Sequence, residues 1–211
     1  MSITAILCLA FATFTGFAQA KPTDPPGKTR VQVPPLQAPA PTPAPGNPVV
    51  VVSTSAGDIT LELFKEQAPV SVENFLQYVK EGFYEGTIFH RVKAGYVVQG
   101  GGYTREMVEK TTRPPILNEA TNGLKNARGS LAMARMRALR SATSQFYINL
   151  AHNRELDHRG YSPDDFGYAV FGRVLSGMDV VDKIAATPTG ASGEHEDVPL
   201  TPIVIQKVTI K

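Results

Sequence analysis

The stretch from Phe89 to Gly102 places two long polar side chains among residues that favour β-strands. Side chains alternate between the two faces of a strand, so Arg91 should point away from the face that holds Val92. One glycine within the stretch permits a sharp return of the chain, and the glycines after Gln99 let another backbone approach closely. The stretch therefore predicts a strand pair, and in an arbitrary sequence its polar residues would be incidental.

A second stretch, from Ser144 to Asn149, repeats the mixture of an amide with aromatic side chains. Each of these residues alone would be better explained as core or as part of a surface ion pair. In combination the two stretches predict a shallow apolar pocket with Arg91, Gln99 and Gln145 at its rim.

Composition and charge argue against several functional classes. The 211 residues suit one domain with extensions, and an apolar content of 42% is ordinary for a globular protein. A net charge of +2 is too small to predict binding to nucleic acid or to an anionic membrane. His152, His158 and His195 do not fall at metal-ligand spacing with other ligand types, so no metal site is predicted.

Residues 1–20 have the pattern of a secretory signal peptide, an apolar run followed by small residues at positions 18 and 20. No lysine or arginine precedes the run, so an uncleaved membrane anchor is the alternative. The run is shorter than the roughly 20 apolar residues that a spanning helix needs. We therefore expect cleavage before Lys21 and no stable membrane insertion. Because Cys8 lies in the removed segment, the mature chain would have no thiol.

Residues 21–48 predict a linker, because proline and alanine are too dense there for a helix or a central strand and favour extended polyproline II. A passive spacer is the preferred interpretation. A proline-rich ligand for another domain, or for the chain's own site, is the alternative.

From Val49 onward, short strand patterns alternate with turn signals, and two segments have helical spacing. Strands are predicted at 49–54, 59–64, as a pair within 87–99, and at 129–134, 144–150, 168–174 and 203–210; helices are predicted at 69–81 and 178–185. Many short strands with two helices indicate an all-β barrel with capped ends, in a folded domain that spans residues 49–211.

The motifs FHRV, GYVVQGGG, SQFYI and FGYAVFG occur in this order in the chain. Together they resemble the cyclophilins, which are peptidyl-prolyl cis-trans isomerases, and residues 100–135 are most similar to the bacterial periplasmic branch. The resemblance implies an eight-stranded antiparallel closed barrel capped by two α-helices, with the active site on its outer face. It also implies a periplasmic enzyme that acts on proline-containing peptides and unfolded exported proteins. A monomer without a cofactor is expected.

The resemblance also assigns roles to individual residues. Arg91 takes the position of the catalytic arginine, and Gln99 that of the glutamine that binds the peptide and orients the arginine. The other positions that contact substrate in the family fall in this chain at Tyr96, Val97, Ala134, Arg135, Gln145, Tyr147, Leu156 and Tyr168. Ala134 would act through its main chain.

Several of these residues depart from the usual family pattern. Tyr96 and Tyr147 stand where phenylalanine is usual, so their hydroxyls need partners or must reach the rim. Val97 replaces a larger methionine, which widens the floor of the pocket. Arg135 replaces an asparagine beside the substrate backbone, and Tyr168 replaces a histidine found in many relatives.

The implied reaction breaks no covalent bond, because an X-Pro amide only rotates, over a barrier of ~18–20 kcal/mol. A donor aimed at the prolyl nitrogen stabilises the twisted amide, in which that nitrogen regains a lone pair, more than the planar amide. Arg91 suits this role because a guanidinium stays charged and offers several fixed donors. The altered pocket leaves an alternative open, a proline-binding chaperone or scaffold with little turnover.

Overall fold

The computed structural model describes residues 41–211, and these residues contain ten strands and two α-helices. The strands are β1 (Val49–Thr54), β2 (Gly57–Leu63), β3 (Arg91–Lys93), β4 (Val97–Gly100), β5 (Ser130–Met133), β6 (Phe146–Asn149), β7 (Val170–Ser176), β8 (Thr189–Ser192), β9 (His195–Pro199) and β10 (Ile205–Ile210). The helices are α1 (Pro69–Lys80) and α2 (Met178–Ala185). The predicted signal peptide and residues 21–40 of the predicted linker lie outside the described residues.

Eight strands form one antiparallel sheet in the order β10-β1-β2-β7-β5-β6-β4-β3. Main-chain hydrogen bonds join its two edges near the starts of β10 and β3, from Phe89 N to Ile203 O at 3.0 Å and from Ile205 N to Thr87 O at 2.7 Å. The prediction of an eight-stranded antiparallel fold with two helices is confirmed. The predicted closed barrel is a curled sheet whose edges meet only at this short seam, because β3 is three residues long.

Helix α1 packs on the sheet through one apolar stripe, which repeats at helical spacing and is buried: Val72, Phe75, Leu76 and Val79. Its first turn is capped by Glu119, whose carboxylate accepts hydrogen bonds from Val70 N at 3.0 Å and Ser71 N at 2.8 Å. After the helix, Gly82 takes a positive φ of 65° and turns the chain. The sequence therefore accounts for the position of this helix.

The core of the sheet is aromatic. The ring of Phe75 lies 5.1 Å from that of Tyr84 and 5.5 Å from those of Phe146 and Phe171, measured between centroids. All four side chains are buried, and the Tyr84 hydroxyl donates to Ser144 O at 2.9 Å. These rings fill the inner side of the sheet, which leaves its outer face for other contacts.

The hairpin of β8 and β9 lies outside the main sheet and was not predicted. Most of its residues are polar or exposed, so the sequence shows no clear apolar alternation there. The hairpin contacts β3 and brings His195 beside His90, with 6.2 Å between the ring centroids.

The last residues of the predicted linker lie against the sheet. The Glu62 carboxylate is buried in β2 and accepts hydrogen bonds from Ala44 N at 2.7 Å, Asn47 Nδ2 at 2.8 Å and Arg173 Nε at 2.7 Å. Burial by itself would raise the pKa of Glu62, but the hydrogen bonds from Asn47, Ala44 and Arg173 outweigh it, so the pKa is lowered. Residues 44–47 are therefore attached to the folded domain.

Replacement of Glu62 by glutamine is expected to lower the free energy of unfolding at neutral pH by about 1–3 kcal/mol, because charge-assisted hydrogen bonds are lost. Since folding lowers the pKa of this carboxyl group, its contribution exists above the ordinary pKa and is lost as pH falls through the folded value. Urea unfolding should therefore show a large difference between Glu62→Gln and wild type at neutral pH and a smaller one at an acid pH below the folded pKa.

The exposed Glu66, four residues further along, provides the matched control, and Glu66→Gln should change stability little at either pH. If Glu62→Gln lowered the free energy of unfolding equally at both pH values, the Glu62 carboxylate would not stabilise the fold in its ionised form.

Candidate active site

Strand register brings the polar residues of the two conspicuous stretches onto one face of the sheet. Arg91 lies opposite Gln99 in the β3–β4 pair, and Gln99 lies opposite Tyr147 in the β4–β6 pair. Residues that lie directly opposite each other project to the same side. Phe146, the neighbour of Tyr147, belongs to the core, so Arg91, Gln99 and Tyr147 project from the outer face.

A second, smaller apolar cluster covers this outer face, with Val97, Ala132, Tyr147, Leu156 and Val170 buried in it. Beside it lies a cavity of about 280 Å³. Nine of the ten residues named from the sequence line this cavity: Arg91, Tyr96, Val97, Gln99, Ala134, Arg135, Tyr147, Leu156 and Tyr168. The tenth, Gln145, lines an adjacent cavity of about 320 Å³, which Gln99, Ala134 and Arg135 also line.

Three polar side chains form a hydrogen-bonded chain at the rim. Arg91 Nη1 donates to Gln99 Oε1 at 3.3 Å, and Gln99 Nε2 donates to Gln145 Oε1 at 3.0 Å. The guanidinium carbon of Arg91 lies 6.0 Å from the centroid of the Tyr96 ring. The Gln99 amide thus links the arginine of one cavity to the second cavity.

The Tyr147 hydroxyl has a buried partner that the sequence analysis missed. It donates to Oδ1 of the fully buried Asn126 at 2.8 Å, and Asn126 Nδ2 donates to Leu156 O at 3.0 Å. Burial, followed by the nearby Tyr168 and Tyr96, raises the pKa of Tyr147 well above its ordinary value, so the hydroxyl stays protonated. The one signal in the sequence was that a buried tyrosine needs a partner.

His90 precedes Arg91 in the chain and is buried on the other side of the strand. Burial, followed by the charge of His195, lowers the pKa of His90 to about 4. His90 is therefore neutral at neutral pH and places no second positive charge beside Arg91.

Within residues 41–211, no group of three or more His, Cys, Asp or Glu side chains is arranged to hold a metal ion. Over the same range, no helix has both the length and the apolar character needed to cross a bilayer.

The family model for the cyclophilin type peptidyl-prolyl cis-trans isomerase/CLD matches residues 49–210. The chain belongs to the cyclophilin family. Peptidyl-prolyl cis-trans isomerase A of Dickeya dadantii is 55% identical over 161 residues, which cover 76% of this cyclophilin and 83% of that protein. Peptidyl-prolyl cis-trans isomerase B of Escherichia coli is 52% identical over 162 residues, which cover 77% and 99% of the two chains. The predicted cyclophilin-type isomerase, similar to bacterial members, is confirmed.

Solved cyclophilin structures agree with the fold. A Cryptosporidium parvum cyclophilin type peptidyl-prolyl cis-trans isomerase matches with a TM-score of 0.64 at 26% identity, covering 78% of this chain and 98% of that chain. A structure of the same protein in the presence of the dipeptide Ala-Pro matches with a TM-score of 0.63 at 26% identity, covering 77% and 98%.

Two residues that the family resemblance assigned to peptide binding have distinct surroundings in this cyclophilin. Ala134 N donates to Gln145 O at 3.0 Å, so the main chain of Ala134 is joined to that of Gln145. The Arg135 side chain donates to the main-chain carbonyls of Gly167 at 2.9 Å and Pro163 at 2.7 Å. Arg135 therefore has partners within the protein that an asparagine at this position could not reach.

Proposed function

We propose that the outer-face cavity is the isomerase site, that Arg91 stabilises the twisted X-Pro amide, and that the enzyme serves exported proteins as they fold. The observation that carries the proposal is the position of Arg91. Arg91 is half-buried, and its guanidinium is hydrogen-bonded to Gln99 at the rim of a cavity whose floor is apolar.

The position of Arg91 suits rotation about an amide. At the top of the barrier the prolyl nitrogen is no longer conjugated and can accept a hydrogen bond, which the planar amide cannot do equally well. The hydrogen bond to Gln99 uses one of the five N–H donors of a guanidinium and orients the group. The remaining donors can therefore act on the substrate in its twisted form.

The cavity floor supplies the other half of the mechanism. Val97, Tyr147 and Leu156 are buried side chains that can hold a proline ring while the preceding carbonyl turns. The relative solved in the presence of Ala-Pro supports this choice of ligand. We infer that the ring sits in this cavity and that the chain on one side of it runs toward Gln145.

NMR exchange spectroscopy on an Ala-Pro peptide, with the peptide in excess, tests the proposal. Uncatalysed exchange takes tens to hundreds of seconds. The intact protein should accelerate it, and the Arg91→Ala variant should accelerate it far less. A protein that binds the peptide and leaves the exchange rate unchanged would instead be a proline-binding scaffold. Equal acceleration by both proteins would remove Arg91 from the mechanism.

The export part of the proposal rests on residues 1–20, with their apolar run and small-x-small ending. Mass spectrometry of the protein recovered from the periplasmic fraction of a bacterial host provides the test. A mature N-terminus at Lys21 supports signal cleavage and export. A full-length chain in the membrane fraction would favour the uncleaved anchor.

A further inference from the structure

The guanidinium of Arg135 directs most of its donors to main-chain carbonyls. Nε donates to Gly167 O at 2.9 Å, Nη1 to Met136 O at 3.0 Å and Arg137 O at 3.2 Å, and Nη2 to Pro163 O at 2.7 Å. A guanidinium has five N–H donors and no acceptor, so four are occupied and one remains. An asparagine at this position has only two side-chain N–H donors and could not make these four hydrogen bonds.

The same guanidinium lies over the ring of Tyr168. Its central carbon is 4.8 Å from the centroid of the Tyr168 ring, inside the ~6 Å range of a cation–π contact. The Tyr168 ring lines the cavity and meets the Tyr147 ring nearly edge-on, at 5.9 Å and 76°. Arg135 thus supports a ring that forms one wall of the cavity.

The main chain leading into Tyr168 is held from two sides. Gly167 O accepts hydrogen bonds from Arg135 Nε and from Asn118 Nδ2, the latter at 3.1 Å. Gly167 has a φ of +77°, and a Cβ there would lie 2.6 Å from the carbonyl carbon of Asp157. The path of the chain is therefore tightly determined at this point, and Arg135 is one of the two side chains that donate to Gly167 O.

We propose that Arg135 is a positioning residue for the reaction: it holds the Tyr168 ring as a wall of the cavity and does not bind the substrate itself. The inference rests on the proposed function, because it takes the outer-face cavity as the isomerase site. It assigns the substrate contact to Tyr168 and makes Arg135 a link between two chain segments, 135–137 and 163–168, that border the cavity.

A double-mutant cycle separates positioning from direct binding. Arg135→Ala and Tyr168→Ala should each raise KM for an Ala-Pro peptide about 5- to 20-fold and leave kcat within about twofold, because the wall contacts the planar and twisted substrate alike. If Arg135 acts through Tyr168, the KM of the double variant should exceed the higher KM of the two single variants by at most about twofold. If the fold increases in KM of the two single variants multiply in the double variant, Arg135 binds substrate directly and the proposal is overturned.

Two further variants sharpen the result. Arg137→Ala removes a neighbouring exposed guanidinium that pairs with Asp164 at 3.2 Å, and it should leave KM unchanged. Arg135→Lys keeps the charge and loses the planar fork, so it should behave like Arg135→Ala. Recovery of KM by lysine would overturn the part that the main-chain hydrogen bonds play in positioning, because lysine keeps only the charge over the Tyr168 ring. Thermal unfolding of each variant confirms that the kinetics are measured on folded protein.

The double-mutant cycle can also be measured as peptide binding, without catalysis. If the wild-type protein binds the peptide and does not isomerise it, the proposed function fails, and dissociation constants from NMR titrations replace KM in the same cycle. If the wild type is active and the fold increases in KM multiply in the double variant, only the positioning role of Arg135 fails.

Discussion

Replacement of Arg91 by alanine is expected to lower kcat/KM for an X-Pro peptide by about 100- to 1,000-fold, the loss found when one preorganised donor to a transition state is removed. The prolyl nitrogen becomes an acceptor only as the amide twists, so the guanidinium should act mainly on the transition state. We therefore expect kcat and kcat/KM to fall together while the dissociation constant of the peptide changes little. NMR exchange rates over a range of peptide concentrations, with a binding titration, measure all three quantities.

Lys93 provides a matched control on the same strand. Its ammonium lies 5.9 Å from the centroid of the Tyr96 ring, where Arg91 lies at 6.0 Å, so Lys93→Ala removes a comparable charge near the same ring. This variant should keep nearly full activity. Arg91→Lys should recover only a small part of the loss, because lysine lacks the planar fork of fixed donors. An Arg91→Ala protein that keeps most of its kcat/KM would contradict the mechanism.

Replacement of Phe75 by alanine is expected to have the largest effect on stability, a loss of about 3–5 kcal/mol in the free energy of unfolding. The ring is fully buried between α1 and the sheet and contacts Tyr84, Phe146 and Phe171. Its removal leaves a cavity that these rings can refill only in part, because they are held by their own neighbours. Urea unfolding followed by circular dichroism measures the change.

Val70 lies on the same helix and supplies the control. It is 38% exposed, and its main-chain N–H, which Glu119 caps, is retained in alanine. Val70→Ala should therefore change stability by no more than about 0.5 kcal/mol. A loss below about 1 kcal/mol for Phe75→Ala would mean that the aromatic cluster does not hold α1 on the sheet.

The hydrogen-bond partners of Glu62 and of the Tyr147 hydroxyl could not be predicted from the sequence. Glu62 looks like an outward residue of an alternating strand, and its partners lie 15, 18 and 111 residues away in the chain. Asn126 lies in a segment with turn signals and no periodic pattern, 21 residues from Tyr147. Such contacts depend on how the loops close, and no local pattern encodes that.

By itself, the sequence determined the eight strands of the main sheet, the two helices and the faces of the strands. The apolar stripe of α1, the outward direction of Arg91 and the need for a partner at Tyr147 all follow from periodicity and from the chemistry of single side chains. Only the tertiary structure decided that the barrel edges meet at a short seam, that residues 44–47 attach to Glu62, and that Arg135 contacts Tyr168. Periodicity is a property of neighbours along the chain, whereas these contacts join residues that only the completed fold brings together.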